Sequence, residues 1–275
     1  MLDARNIGQL MKGSRKVYEF TPEQLQNIAA IVWLYRGQKK RFQALLTLYR
    51  EKCREHRRAL AAVLPPLGDA VEALGTALKG CAVALSPEFT TALDAARTEI
   101  SSLDRQIGKR DYAKDAAALP ELAAASKAIG RLALQIRRAT GPLVTAALEG
   151  DASKESRKTL KTKQQECDAA WQAAVEAAHR NNYFTHQLEW LLHRFPDAEF
   201  QAIPGLCKVV TRAEIEAADW SLTPGRYVGV APVAVDEDFD FEQTITDIHT
   251  ELATLNKDAA GLAKTIQKNF EALGV

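Results

Sequence analysis

From Leu67 to Phe195 the chain is written largely in Ala, Leu, Glu, Lys and Arg, and this run constrains the fold more than any other feature. These residues lose little side-chain freedom in a helix, and their preference, summed over long windows, argues against a sheet. Ser86-Pro87, Leu119-Pro120 and Gly141-Pro142 punctuate the run. Proline ends or kinks helices, so the reading is a stack of helical hairpins with a last long member from about Ser153 to His193.

The flanks carry start and stop signals of the same kind. In "FTPEQLQNIAAIVWLYRG", Thr21 is an N-cap, Pro22 occupies the first helical position, Gln24 closes a capping box and Gly37 stops the helix. Leu25, Ile28, Ala29, Val32 and Tyr35 or Arg36 form its apolar stripe. A second helix is expected from about Phe42 to Val63, broken at "LPPLG" by Pro65 and Pro66. "TRAEIEAA" repeats the capping box with Thr211 and Glu214. Strand character is confined to Cys207–Val210 and Tyr227–Val230, and Thr223-Pro224-Gly225 fits a type II turn, with Trp220 and Tyr227 packing it onto the helical body. The fold class is mainly α, a helical bundle or set of hairpins with at most a small β element. Four segments follow: a basic helical segment 1–66, an Ala-rich insertion 67–195, an irregular connector 196–239 and a terminal helix 240–275.

That terminal helix has the strongest periodicity in the chain. Phe241, Ile245, Ile248, Leu252, Leu255, Ala259, Leu262 and Ile266 alternate spacings of four and three, a heptad seam that Phe270 and Leu273 extend. Asp240 caps its start and Gly274 closes its end. About 33 residues of helix span roughly 50 Å, long enough to lie along a partner helix. The alternative is that the seam packs on the chain's own body.

Charge is uneven along the chain. Residues 1–66 carry 13 basic and 5 acidic residues, whereas residues 196–275 carry 6 basic and 14 acidic ones. A basic head and an acidic tail suit different partners. "RGQKKR", Arg36 to Arg41, and "REKCREHRR", Arg50 to Arg58, are the candidate phosphate contacts, with Arg36, Lys39, Lys40 and Arg41 first among them. A solvated helix face, with Glu51 and Glu55 as i,i+4 partners, stands as the alternative for both runs. Arg226 is a further candidate DNA contact, since Arg at an exposed turn can reach a phosphate.

Other chemistries find no residues. The chain has no P-loop, no Gly-x-Gly-x-x-Gly loop and no nucleophile elbow. His179, His186 and His193 share a helical stripe at seven-residue spacing, but roughly 10 Å separates neighbours along a helix, whereas zinc needs donors at about 2 Å. They read as a polar or interfacial helix face, and no metal ligands are assigned. Cys53, Cys81, Cys167 and Cys207 lie too far apart in sequence for a zinc motif and read as reduced, mostly buried thiols. The absence of a long apolar run or a signal-peptide pattern leads to an expectation of a cytoplasmic protein without membrane contact.

Four stretches resemble the C-terminal portion of the methylation subunit of type I restriction-modification systems: "LDARNI", "FTPEQLQNIAAIVWLYRG", "IPGLCKVVTRAEIEAADWSLTPGRYVGVAP" and "DEDFDFEQTITDIHTELATLNKDAAGLAKTIQKNFEALGV". The resemblance covers both ends of the chain. The Ala-rich middle, about 67–180, looks like a helical insertion. The family are DNA adenine-N6 methyltransferases that use S-adenosylmethionine, bound at a glycine-rich loop, and an Asn-Pro-Pro-aromatic motif that receives the flipped adenine. Neither motif is here, and the Pro65-Pro66 pair is flanked by leucines. The resemblance therefore implies no catalytic residues and no cofactor in this chain, as though it begins just after a catalytic core. It implies assembly with the DNA specificity subunit through the terminal seam, DNA contact within that complex, and a connector role for the Asp219–Pro232 stretch. A self-contained helical scaffold or regulator, or one half of a split methyltransferase that joins a separate catalytic half, stand as alternatives.

Overall fold

Local capping signals place the helix starts. The computed structural model describes residues 1–11, 16–81, 87–109, 118–150, 152–230, 259–263 and 266–267. A two-residue hairpin, β1 (Gln9–Leu10) and β2 (Tyr18–Glu19), pairs antiparallel with Gln9 opposite Glu19. Helix α1 (Pro22–Tyr35) starts as its sequence dictates: Thr21 Oγ1 accepts from the Gln24 amide, and the Gln24 side chain accepts from the Thr21 amide. Gly37 ends it in the left-handed region at φ 70°. Four long helices follow, α2 (Lys39–Gly80), α3 (Pro87–Lys109), α4 (Leu119–Glu149) and α5 (Lys154–Arg194). Ser153 caps α5 by accepting from the Ser156 amide.

The long helices form two antiparallel hairpins. In α2–α3, Gly75 lies against Leu93, Glu72 pairs with Arg97 and the Arg57 guanidinium donates to the Ile107 carbonyl. A Cβ at residue 75 would come within 2.9 Å of Leu93 Cδ2, so a larger residue there would push the end of that side chain aside. In α4–α5, Asn181 Nδ2 donates to Ser126 Oγ, and the Arg137 guanidinium lies 5.2 Å from the Trp171 ring centre. Helices α2 and α5 join the hairpins and run antiparallel across two apolar clusters. One gathers Leu60 to Leu78 of α2 with α3, α4 and the first half of α5. The other gathers Phe42 to Cys53 of α2 with α1, Leu188, Leu191, Phe195 and Cys207. Between them lies a buried polar layer of Asn27, Asn181, Thr185 and Gln187, bonded among itself and to Tyr49 and Ser126.

Several sequence expectations are corrected. Helix α2 does not break at Pro65 and Pro66 but continues to Gly80, and α4 likewise continues through Pro142. Both proline rings of the pair lie on the exposed side, while Leu67, Val71, Leu74 and Leu78 beyond them are buried. Burying four such side chains contributes on the order of 6–12 kcal/mol, against about 6 kcal/mol lost at the two helix-interior prolines, so packing matches or exceeds the loss. The stripe on α1 is also rotated: Asn27, Ala30, Ile31 and Leu34 are buried, whereas Leu25, Val32 and Tyr35 are exposed.

The expected strand at Tyr227–Val230 is instead a helical turn, α7 (Gly225–Val228). Pro224 has φ −56° and ψ −38°, so the type II turn, which needs ψ near +120° at that position, is absent. Cys207 forms only isolated bridges to Leu2 and Ile203, so no strand develops there. The second capping box does form, opening α6 (Arg212–Ala217). Its Thr211 amide, and then Lys208, hold the Glu214 carboxyl down at about 2.

No helix among the described residues is long and apolar enough to cross a membrane. The chain divides into two units, Met1–Gly229 and Val230–Val275. In the second, residues 259–263 and 266–267 are helical.

Candidate functional site

The basic candidates gather at the corner between α1 and α2. Gly37 turns the chain so that Arg36, Lys39, Lys40 and Arg41 crowd the first turn of a 42-residue helix. That end already carries the positive pole of the helix dipole, yet it has no acidic residue in its first turn and no side-chain cap from Gln38. Lys39 is neutralised by Glu199, and Arg41 donates to Gln38 Oε1 at 3.4 Å. Arg36 and Lys40 are exposed, with no ion-pair partner among the described residues. The corner therefore holds uncompensated positive charge suited to phosphate oxygens.

The second basic run divides between surface and structure. Lys52 pairs with Glu55, Arg57 donates to the end of α3, and Cys53 is buried. Arg226 is exposed on α7 and shares no hydrogen bond or ion pair with the corner. Its surroundings explain the opening of that stretch. Gly225 lets the Arg5 guanidinium pass, since a Cβ there would lie 2.8 Å from Nη2, and that guanidinium forks onto the Asp3 carboxylate. The Val228 carbonyl accepts from the Gly205 amide at 2.7 Å, and Tyr227 donates to the Ser221 carbonyl. Residues 221–228 are thus tied to Gly205 and lie against the Asp3–Arg5 pair. Trp220 departs from expectation: it is 54% exposed, with Arg212 over its ring rather than the helical body.

Of the seam residues, Ala259, Leu262 and Ile266 are described. Leu262 and Ile266 are four positions apart in sequence, each in a helical segment, and are 63% and 47% exposed. Phe241, Ile245, Ile248, Leu252, Leu255 and Phe270 lie outside the described residues, as do Asp240 and Gly274.

Titratable groups in the body serve packing. His179, His186 and His193 are exposed along α5, and no group of three or more metal-binding side chains gathers among the described residues. All four cysteines are buried free thiols. Burial pushes Cys53 and Cys167 up to about 11 and raises Cys207 as well, so none of these three is an activated nucleophile at neutral pH. Tyr183, raised to about 12 by burial, bonds to Glu23 and Thr21 and ties α5 to α1.

Sequence reasoning missed two features. One is the buried polar layer, whose members look like ordinary helix-surface residues. The other is the inner face of α1, Asn27, Ala30, Ile31 and Leu34, hidden because "PEQLQNIAAIVWLY" is apolar on two sides and the stripe read from the sequence is the outer one. The chain matches no protein-family model, no curated protein and no solved structure.

Proposed function

We propose that this chain is a non-catalytic assembly element related to the C-terminal portion of type I methylation subunits, joining a DNA specificity subunit through its terminal helix. The reading rests on the four-stretch resemblance, and one observation carries its mechanism: Leu262 and Ile266, successive seam positions, are each exposed in a helical segment. An apolar i,i+4 pair on an exposed helix face gains by docking against another helix. In the same reading, the Arg36–Arg41 corner adds sequence-independent contact with the phosphate backbone, and the reactive chemistry belongs to a separate catalytic methylase half.

Capture of the chain by a tagged type I specificity subunit tests the reading. Leu262→Glu with Ile266→Glu should weaken capture by about tenfold or more, because two apolar anchors become charges that cannot be buried unpaired. The melting temperature of the isolated chain should stay unchanged. Undiminished capture, or a large fall in melting temperature without any partner, would remove the seam from the interface.

A further inference from the structure

The outer face of α1 is an apolar stripe left uncovered among the described residues. Leu25 is 53% exposed, Val32 38% and Tyr35 60%, with Ile28 half-buried between them. Their spacing of three, four and three is that of a helix-pairing seam. A surface helix normally turns polar residues to this side, yet α1 is apolar on both. Beside the C-terminal half of the stripe lies a groove of about 270 Å³, bordered by Val32, Tyr35, Phe200 and Val209.

We infer that a second copy of this chain covers the stripe, with the two α1 helices packed antiparallel about a two-fold axis near residue 30. The spacing admits this occupant. Three, four, three reads the same in both directions, so an antiparallel copy sets Leu25 against Tyr35 of its mate and Ile28 against Val32. A two-fold interface must be self-complementary in this way. Each Leu25 then arrives beside the groove that flanks Tyr35. Charge agrees with the same orientation. The C-terminal end of the stripe carries exposed Arg36 and Lys40, while exposed Glu19 precedes its N-terminal end. Antiparallel pairing brings opposite charges together at both ends, whereas parallel pairing stacks like on like.

Sedimentation equilibrium on the full chain should show a reversible dimer at high micromolar concentration. Val32→Glu should raise its dissociation constant about tenfold or more without lowering the melting temperature, because the site is exposed. Arg36→Glu with Lys40→Glu should weaken the dimer at low salt, and adding Glu19→Arg should restore it. Orientation is read with a short bismaleimide. Leu25→Cys with Tyr35→Cys should crosslink between chains, whereas Leu25→Cys alone should not, since two copies of residue 25 then lie about 15 Å apart along the axes. The native cysteines are buried and leave the readout clear. A chain that stays monomeric at these concentrations, a dimer indifferent to Val32→Glu, or crosslinking by Leu25→Cys alone overturns the inference. Loss of capture by the specificity subunit has no bearing on these outcomes.

Discussion

His56 shows how one residue couples burial to solution conditions. Its ring stacks on Phe184 with centroids 4.9 Å apart, in the groove between α2 and α5. Burial lowers its pKa from 6.5; the Glu55 carboxylate opposes this, while Lys52 and Arg180 add to it. Below about pH 6.5 the unfolded chain therefore binds a proton that the folded chain resists, and stability falls as pH drops through that range. Melting temperatures recorded between about pH 7.5 and pH 5.5 should decline in the parent chain, and His56→Phe, which keeps the stack, should flatten that decline. An identical decline in the variant would assign the effect elsewhere. At this scale the sequence was legible where a side chain answers a backbone group within its own turn, as Thr21, Ser153 and Thr211 do. It was not legible at Asn181. That residue is fully buried by α4 and α2, its Nδ2 bonded to Ser126 and its Oδ1 without a partner among the described residues.

Helix α2 is where element-level rules met tertiary packing. A proline pair inside a helix removes two amide donors and crowds the preceding turn, which is why sequence places a break there. The helix continues because the residues on either side fill one core, with Leu60 and Leu64 before the pair and Leu67 and Val71 after it. Removing the pair restores two helix-interior positions, so Pro65→Ala with Pro66→Ala should stabilise the fold by about 4 kcal/mol, that is about 6 kcal/mol for two prolines less about 2 kcal/mol for the freer unfolded chain. Urea denaturation measures this directly. A destabilised double variant would mean that α2 needs its bend at the prolines to reach both clusters. Helix α1 gives the complementary lesson. Its caps, length and stop were readable, but its buried face was not, because two apolar stripes compete and only the positions of α2 and α5 decide between them.

The whole molecule separates charge by region more than by net value. The corner at Arg36–Arg41 concentrates the positive charge of the N-terminal segment at a helix start. If it meets DNA, binding is independent of sequence and steeply salt-dependent. Lys39→Glu, Lys40→Glu and Arg41→Glu together should weaken binding to a random duplex at low salt. They should also make the log–log salt dependence shallower by about 0.9 for each phosphate contact removed. Fluorescence anisotropy titrations at several salt concentrations provide the check, and unchanged affinity would exclude this corner.

What the sequence determined by itself was the mainly helical class, the starts of α1, α5 and α6 and the buried, reduced state of the cysteines. Each rests on composition or on contacts reaching no more than a few residues, so the information is local. Only the tertiary structure decided that α2 and α4 pass through their prolines, that Gly225 opens a helical turn around Arg5, and which stripe of α1 faces inward. Those outcomes depend on surfaces contributed from distant parts of the chain, such as Tyr183 against Thr21 and Glu23 or Arg5 against Gly225. A local preference of a few kcal/mol gives way when burial of a whole helix face outweighs it.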